Sequence, residues 1–587
     1  MQKIAKKNTM FHMKKKSIIL CFCLMSFIFA QNYNTQNERM IEKDSPLYQD
    51  LVLLYAKTNL APPSSVFPIS AKEMQLLIQK IPTKKLDSSD LVIYEKLSDK
   101  IATLTQPILG VGAGLNLALE GFYQANLKDF GGTSYDASYG HRDTWDENLI
   151  YNYANQKPMV DIPLQFYLPG VYGYTNIQMK NVRQYSKDFF PSLAKGHLFT
   201  NVFTSMHYFD MTFPHKAYLS FDGNFYNLLI GRNISEWGNG NSGNLLLGGH
   251  LDYYDNIRGT LFSSLFKYTF QATFFDTFFG YVPSTEEDAL AMDAEPEFVQ
   301  YFVSHRFEMP IFNRVNFAFV EGAMVKSRSL QFQSFSPLIL LHNSYSYATY
   351  NVSMALEADV NLGKGFNAYV QWCSDQLTLQ TEIDALGEDI EPQAWGYLAG
   401  ISYDNSFSWG KFSAFLEFVL TDPYMYLEKD GDRLNQYAYY RAFDNAFYNW
   451  NISQGNMNKG IRKIAKPIGF SYGPDAIVIS LFQRFQLRSK WTFLPSITYF
   501  IAGENNRKLD YKTGVTANKL RTPSGIPEHN IVTQFGANYA IKDFCSLYGN
   551  IGFVQVYNHK NILNKNAFDF QLALGVSLQI HYEKNVK

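Results

Sequence analysis

Cysteine is scarce in this chain of 587 residues: there are four, and Cys21 and Cys23 sit in an apolar run near the start. Beyond it only Cys373 and Cys545 remain, too few for a disulfide framework. Net charge is equally slight, with 52 basic against 53 acidic residues. The basic footprint of a nucleic-acid binder is therefore missing, and no such partner is expected. Long apolar runs are absent after residue 30. A membrane-crossing helix needs about 20 apolar residues, so a mean hydropathy of -0.20 excludes a bundle of such helices. Catalytic signatures are also lacking: no Gly-x-Ser-x-Gly elbow, no His-Glu-x-x-His, no phosphate-cradling Gly-x-x-x-x-Gly-Lys-Ser/Thr and no cysteine pair at metal spacing. The sequence predicts no catalytic residue, no metal site, no cofactor and no enzymatic activity.

The one apolar run follows Lys14, Lys15 and Lys16 and spans Ser17 to Ala30. About 14 apolar residues after a basic stretch and before a polar one predict a cleaved secretory signal over 1–30, too short to span a membrane. No cysteine stands at the cleavage point, as a lipoprotein would require. A polar lead and a short helical bundle are expected over 31–105, with 31–43 flexible. Ser45-Pro46 opens a helix carrying Leu47, Leu51, Leu54 and Tyr55, which Pro62-Pro63 ends. Ser70 to Glu73 reads as a capping box, and Leu91, Tyr94, Leu97, Ile101 and Leu104 mark a third helix. Three helices this short cannot make a core alone and should rest on something larger.

From 106 to 587 the period is two. Val352, Met354, Leu356, Ala358 and Val360 alternate with Ser353, Ala355, Glu357 and Asp359, Gly363-Lys364-Gly365 makes a turn, and Phe366, Ala368, Val370 and Trp372 continue the pattern. The last strand alternates from Phe568 to Tyr582, longer than ordinary soluble strands. Strands of this length, apolar on one face and polar on the other, with 40 Tyr and 48 Phe for two aromatic girdles, predict an all-β transmembrane β-barrel of the outer membrane. At roughly 25 residues per strand and loop it would hold about 18 antiparallel strands, with the helical section in the periplasm. Tight turns are expected at Pro169-Gly170, Asp222-Gly223-Asn224, Asp404-Asn405-Ser406, Arg488-Ser489-Lys490 and Lys542-Asp543-Phe544, and long outward loops near 233–258, 281–300, 383–394 and 421–466. The five residues after Tyr582, Glu-Lys-Asn-Val-Lys, depart from the usual aromatic end. Expected partners are outer-membrane lipid and lipopolysaccharide and the barrel-assembly machinery.

The most unusual local sequence runs from Gly231-Arg232 through Glu236-Trp237-Gly238 and Asn241-Ser242-Gly243 into Leu245-Leu246-Leu247. Its glycines permit a tight loop, Arg232 and Glu236 are spaced to pair, and Trp237 offers a flat apolar face with a donor edge. Folded into a pore, such a loop presents amides, hydroxyls and an indole. Sugars bind on that mixture, their C–H faces against rings and their hydroxyls against amides and carboxylates. The alternative is a long glycine turn with Trp237 in the girdle.

This segment resembles the Wzi family of capsule-assembly outer-membrane proteins, as do Phe317 to Gly322 with Ser336-Pro337-Leu338 and His342-Asn343, Glu417 with Thr421-Asp422-Pro423-Tyr424, and Ile468 to Asp475. The resemblance implies a plugged 18-strand barrel that acts as a lectin, holding capsular or related surface polysaccharide and helping to attach it. It also implies that Arg232, Trp237, Asn241, Glu321, His342, Asn343, Glu417 and Asp475 line or shape the carbohydrate-binding end. Bland readings stand beside these roles. Glu321 shares a face with Phe317 and Phe319, which calls for a bulge or a place above the lipid band; Asp475 suits a turn, and His342 suits a structural hydrogen bond. The acidic loop 286–297 reads as solvated, and Lys459, Arg462, Lys463 and Lys466 suit lipopolysaccharide phosphates or an acidic glycan. The rival function is a general porin.

Overall fold

The computed structural model describes residues 38–586 except 131–148, 151–154, 181–195, 203–213, 252, 276–298, 328, 339, 342–348, 378–380, 382–383, 385–391, 430–438, 446–460, 489, 507–509 and 512–520. The leader 1–30, the acidic loop 286–297, Lys459, His342 and Asn343 lie outside the described residues.

Helix α1 (Pro46–Thr58) starts on Ser45, whose hydroxyl accepts from the Leu47 N–H at 3.3 Å. It stops before the proline pair, because Asn59 turns into the left-handed region at φ 60°. Helix α2 (Ala71–Gln79) starts on Ser70, which accepts from the Glu73 N–H at 3.2 Å. Half of the expected capping box is missing: the Glu73 carboxylate reaches Lys267 of the barrel wall at 2.6 Å. Helix α3 (Ser88–Leu104) starts on Asp87. Together the three bury Leu51, Leu54, Met74, Leu97 and Ile101.

The rest is a closed antiparallel barrel of 18 wall strands. In chain order these are β1 (Leu109–Gln124), β2 (Val160–Leu168), β3 (Val171–Met179), β4 (Ala217–Asp222), β5 (Tyr226–Asn233), β6 (Tyr254–Phe262), β7 (Lys267–Phe275), β8 (Val299–Ile311) and β9 (Val315–Ser327). They continue as β10 (Thr349–Gly363), β11 (Phe366–Gln376), β12 (Ala394–Phe407), β13 (Gly410–Thr421), β14 (Ala476–Leu487), β15 (Trp491–Ala502), β16 (Glu528–Lys542), β17 (Cys545–Tyr557) and β18 (Ala567–Val586). A short piece, His197–Thr200, extends the wall beside the upper part of β1.

Burial shows the inversion that hydrocarbon demands. Outward Val370 is 50% exposed while its inward neighbour Gln371 is 3% exposed, and Leu416 (49%) stands beside Glu417 (1%) in the same way. A wall that exposes its apolar side chains and buries its polar ones is at home in an outer membrane. Rings gather near the short turns, where Phe407 stacks on Trp409 at 5.1 Å and Trp491 meets Tyr539 at 4.3 Å; Trp372 and Trp395 meet at 6.1 Å toward the other end.

All short connections lie at one end, and the helices pack there. The Ala61 N–H donates to the Asn313 carbonyl at 2.6 Å, Asn361 Nδ2 to the Leu60 carbonyl at 2.7 Å, and the Ser406 hydroxyl to Asp90 at 2.6 Å. Short turns face the periplasm in bacterial barrels.

Two local expectations change. Asp404, Asn405 and Ser406 belong to β12, and its turn falls later, at Ser408-Trp409, because the alternation runs on to Phe407. β18 continues past Tyr582 to Val586, pairing Glu583 with Gly112 and Val586 with Leu109, while the Tyr167 hydroxyl donates to Asn585 at 2.6 Å. The lead is also ordered from residue 38. Met40–Ile41 pairs with Ile69–Ser70, Met40 is packed among Tyr167, Tyr172, Tyr174 and Tyr218 of the lumen wall, and the Arg39 guanidinium lies 4.2 Å over the Tyr167 ring. Cys373 is buried in the lumen, Cys545 opens β17, and both are free thiols.

Candidate functional site

The loop 234–251 does not stand out into solvent; it folds back into the barrel. Glu236–Trp237 pairs antiparallel with Val66–Phe67, a segment that enters from the periplasmic end. The Trp237 N–H donates to the Leu247 carbonyl at 3.1 Å and the Gly238 N–H to the Ser65 carbonyl at 3.0 Å. Gly238 makes the turn possible: its φ is 130°, and a Cβ there would lie 2.2 Å from Asn244 Oδ1. Trp237 is 1% exposed and packs with Leu245, Leu246 and Leu247 against Phe302, Val320 and Met324 of the wall and Tyr426 and Phe470 of later loops. It thus belongs to a plug core, neither to a girdle nor to a displayed ring.

Glu417 holds the tip of this loop. Its carboxylate accepts from the N–H groups of Asn241 (2.7 Å) and Ser242 (2.9 Å), from the Ser242 hydroxyl, and from the Tyr369 hydroxyl (2.8 Å). Asn241 Nδ2 also donates to Tyr369 at 2.9 Å, while the Asn241 residue itself stays exposed. Tyr369 and Glu417 are two strands apart, and Gly400 lies between them in register; a Cβ on Gly400 would sit 2.2 Å from the Tyr369 ring. The missing side chain lets the phenol cross the strand. Gln371 ties the remainder, donating to Asn239 and Asn244 side-chain oxygens at 2.8 and 2.7 Å and accepting from the Leu245 N–H at 3.1 Å.

Asp475 performs the same task for the later loops. It adopts φ 53° and is fully buried, accepting from Ser524 N–H (3.0 Å), the Ser524 hydroxyl and Asn505 N–H (3.1 Å), while its own N–H donates to the Asp422 carbonyl at 3.0 Å. One residue is both turn former and clasp. Nearby, burial pushes the Asp422 carboxyl up in pKa, against the stabilising Trp395 N–H at 3.0 Å.

Arg232 and Glu236 are apart. Arg232 faces outward with Tyr226, Leu228 and Ile230, pairs with Asp255 through two bonds of 2.8 Å and lies 4.0 Å over the Tyr253 ring. Glu236 points into the plug and meets Lys43 at 2.5 Å. The intervening chain turns inward after Asn233, which separates the two. Glu321 also faces outward, in unbroken register with β8: no bulge intervenes, and it pairs with His305 at 2.8 Å under the Leu341 N–H, which donates at 3.0 Å. Of the eight residues singled out, the structure brings Trp237, Asn241 and Glu417 into one plug, puts Asp475 in a neighbouring clasp, and leaves Arg232 and Glu321 on the outer face.

A further set was missed by sequence reasoning. Arg306, 1% exposed, bonds Glu357 (2.8 Å), Glu308 (3.2 Å) and the Ser65 hydroxyl (3.0 Å), and Lys267 bonds Glu73 and the Ser64 hydroxyl (2.8 Å). These wall charges clamp the segment entering from below. Their signal was present: each stands at a polar position of an alternating strand, where a water-filled lumen would accept it equally well. Lys463 and Lys466, with Arg462, lie on a strand, Ile461–Pro467, paired with Tyr439–Asn445. Among the described residues no group of His, Cys, Asp and Glu is placed to hold a metal ion.

No protein-family model matches the sequence, and no curated protein sequence matches it either. The structure is similar to solved outer-membrane barrels. One is Wzi of Escherichia coli, described as an outer membrane protein involved in group 1 capsule assembly and a carbohydrate-binding β-barrel: TM-score 0.52, 13% identity, 92% of this chain and 99% of that one covered. Another is the outer membrane protein OprD of Pseudomonas aeruginosa, with a TM-score of 0.36, 7% identity and 80% and 94% of the two chains covered.

Proposed function

We propose that this protein belongs with the Wzi-like barrels, binds surface polysaccharide, capsular or related, at the outer face of the outer membrane, and helps to attach it there. The observation that carries the reading is the plug: chain from both ends meets in the lumen and fixes the outer loops from beneath. A channel needs an unobstructed path, whereas a glycan-holding surface needs a rigid base, with affinity summed over many weak contacts. In this reading Trp237, Asn241, Glu417 and Asp475 are the base, and Arg232 with Asp255 and Tyr253 is a rim group that a sugar reaches directly. Function here is adsorption, without a catalytic step.

Two measurements on the purified protein test this. Retention on a column of the cell's own surface polysaccharide, weakened by Arg232→Ala with Tyr253→Ala, is expected, together with silence in planar bilayers. Steady conductance with no retention would replace the lectin by a porin.

A further inference from the structure

The outward wall of β7, β8 and β9 should be uniformly apolar, and it is not. Tyr268, Tyr301, His305 and Glu321 all face outward, and residues 329–338 with Leu340 and Leu341 lie across them. Three of them bond to it, and His305 pairs with Glu321 at 2.8 Å. The Tyr301 hydroxyl accepts from the Gln331 N–H at 3.1 Å, Glu321 accepts from the Leu341 N–H at 3.0 Å, and the Tyr268 hydroxyl donates to the Pro337 carbonyl. Tyr268 is the second residue of β7, just above its periplasmic turn, so this strap descends the wall from the outer end of β9 nearly to the opposite end.

Beneath the strap the wall is cut away. Ala272, Val303, Ala323 and Val325 form a shallow bed into which Leu341 sinks, and Phe335 stacks on Tyr301 at 5.4 Å. Its outer side carries three large apolar side chains, Phe332 (85% exposed), Leu338 (77%) and Leu340 (55%), with exposed Gln333 and Ser336 between them. Irregular backbone is excluded from hydrocarbon because its polar groups have no partners. Here part of that need is met locally, by the turn Phe332–Phe335 with Ser334 and Ser336 N–H bonds of 3.0 and 3.1 Å, and part by the three polar wall residues. The wall's departures from apolarity coincide with the strap's backbone groups.

We infer that residues 329–338 with Leu340 and Leu341 form an intramembrane strap, whose exposed face of Phe332, Leu338 and Leu340 contacts lipid acyl chains. Continuity supports lipid as the occupant: Phe307, Met309 and Leu356, outward beside the strap, are part of the same apolar band. The inference is independent of any glycan role.

The test places a fluorophore on Phe332→Cys in a Cys545→Ser background, with Leu338→Cys as a second site and Leu356→Cys as a wall control, in phospholipid vesicles. Nitroxide on the acyl chains is expected to quench positions 332 and 338 as strongly as 356, and several-fold more than aqueous iodide does. Tyr301→Phe should shift quenching at 332 toward iodide as the strap loosens. Dominant iodide quenching in the parent background would put the strap in water, and protection from both quenchers would put a second polypeptide on it; either overturns the proposal.

Discussion

The two sides of the lumen are built differently. Along β7–β11 the inward side chains are buried under the plug: Thr269, Gln271, Ser304 and Arg306 are at most 1% exposed. Along β13–β17 the inward side chains nearest the short turns, among them Ser413, Arg484, Ser496, Gln534 and Asn550, are only half-buried, and Asn538 is exposed. Above them a second apolar group, Phe122, Phe130, Ile150, Val532 and Val554, fills the outer end. The same alternating pattern therefore encloses packed protein on one side and a polar vestibule toward the periplasm on the other. Polar inward residues are compatible with either filling, and what decides is whether chain from elsewhere comes to meet them.

The largest break in this comparison should come from Arg306→Ala. It leaves Glu357 buried without its cation and Glu308 with only the more distant Lys267, and loss of one partner of a buried pair costs about 3–5 kcal/mol. Amide exchange at Gly238 and its neighbours should accelerate accordingly. Gln534→Ala on the open side should change stability by less than about 0.5 kcal/mol. Next is Glu417→Ala, which strips four donors of their acceptor, at roughly 1–3 kcal/mol; Glu417→Gln, which keeps one acceptor oxygen, should cost less. Protease cutting within 238–245 measures both, and equal susceptibility of the two variants would contradict the anchoring role.

Much of the wall was legible in the chain. A period of two over Phe366 to Trp372 or Phe568 to Tyr582 admits one outward set, and no tertiary contact competes with it. The ends of strands were less so: Asp404-Asn405-Ser406 carries turn residues, yet pairing with β13 holds them extended. The site was legible in composition and not in direction. Glycine around Trp237 announced a tight loop, but its inward course depends on Val66–Phe67, some 170 positions earlier in the sequence. Glu321 looked misplaced among the outward Phe317 and Phe319 because the strap that shelters it has no period of its own.

A smaller effect sits where the lead enters the lumen. Burial pushes Glu38 up to about 7, against the pull of Lys216. A carboxyl whose folded value lies above its unfolded 4.5 binds its proton more tightly in the native state. Its contribution is full below pH 4.5 and is lost as pH rises through 7, on the order of 1–3 kcal/mol. Exchange protection at Met40 and Ile41 should fall across that window, and Glu38→Gln should flatten the dependence.

The gentlest probe leaves stability alone and asks only what water reaches. In a Cys545→Ser background, with Cys373 buried, a thiol at Asn538→Cys should react readily with a small charged maleimide, since that side chain borders the vestibule. Gln271→Cys, equally inward and equally polar in origin, should stay unreacted because the plug covers that position, where the Ser235 hydroxyl donates to Gln271 at 2.7 Å. If both react alike, the packed side is as wet as the open one. The rigid base proposed for the glycan surface would then lose its support, even with the barrel intact.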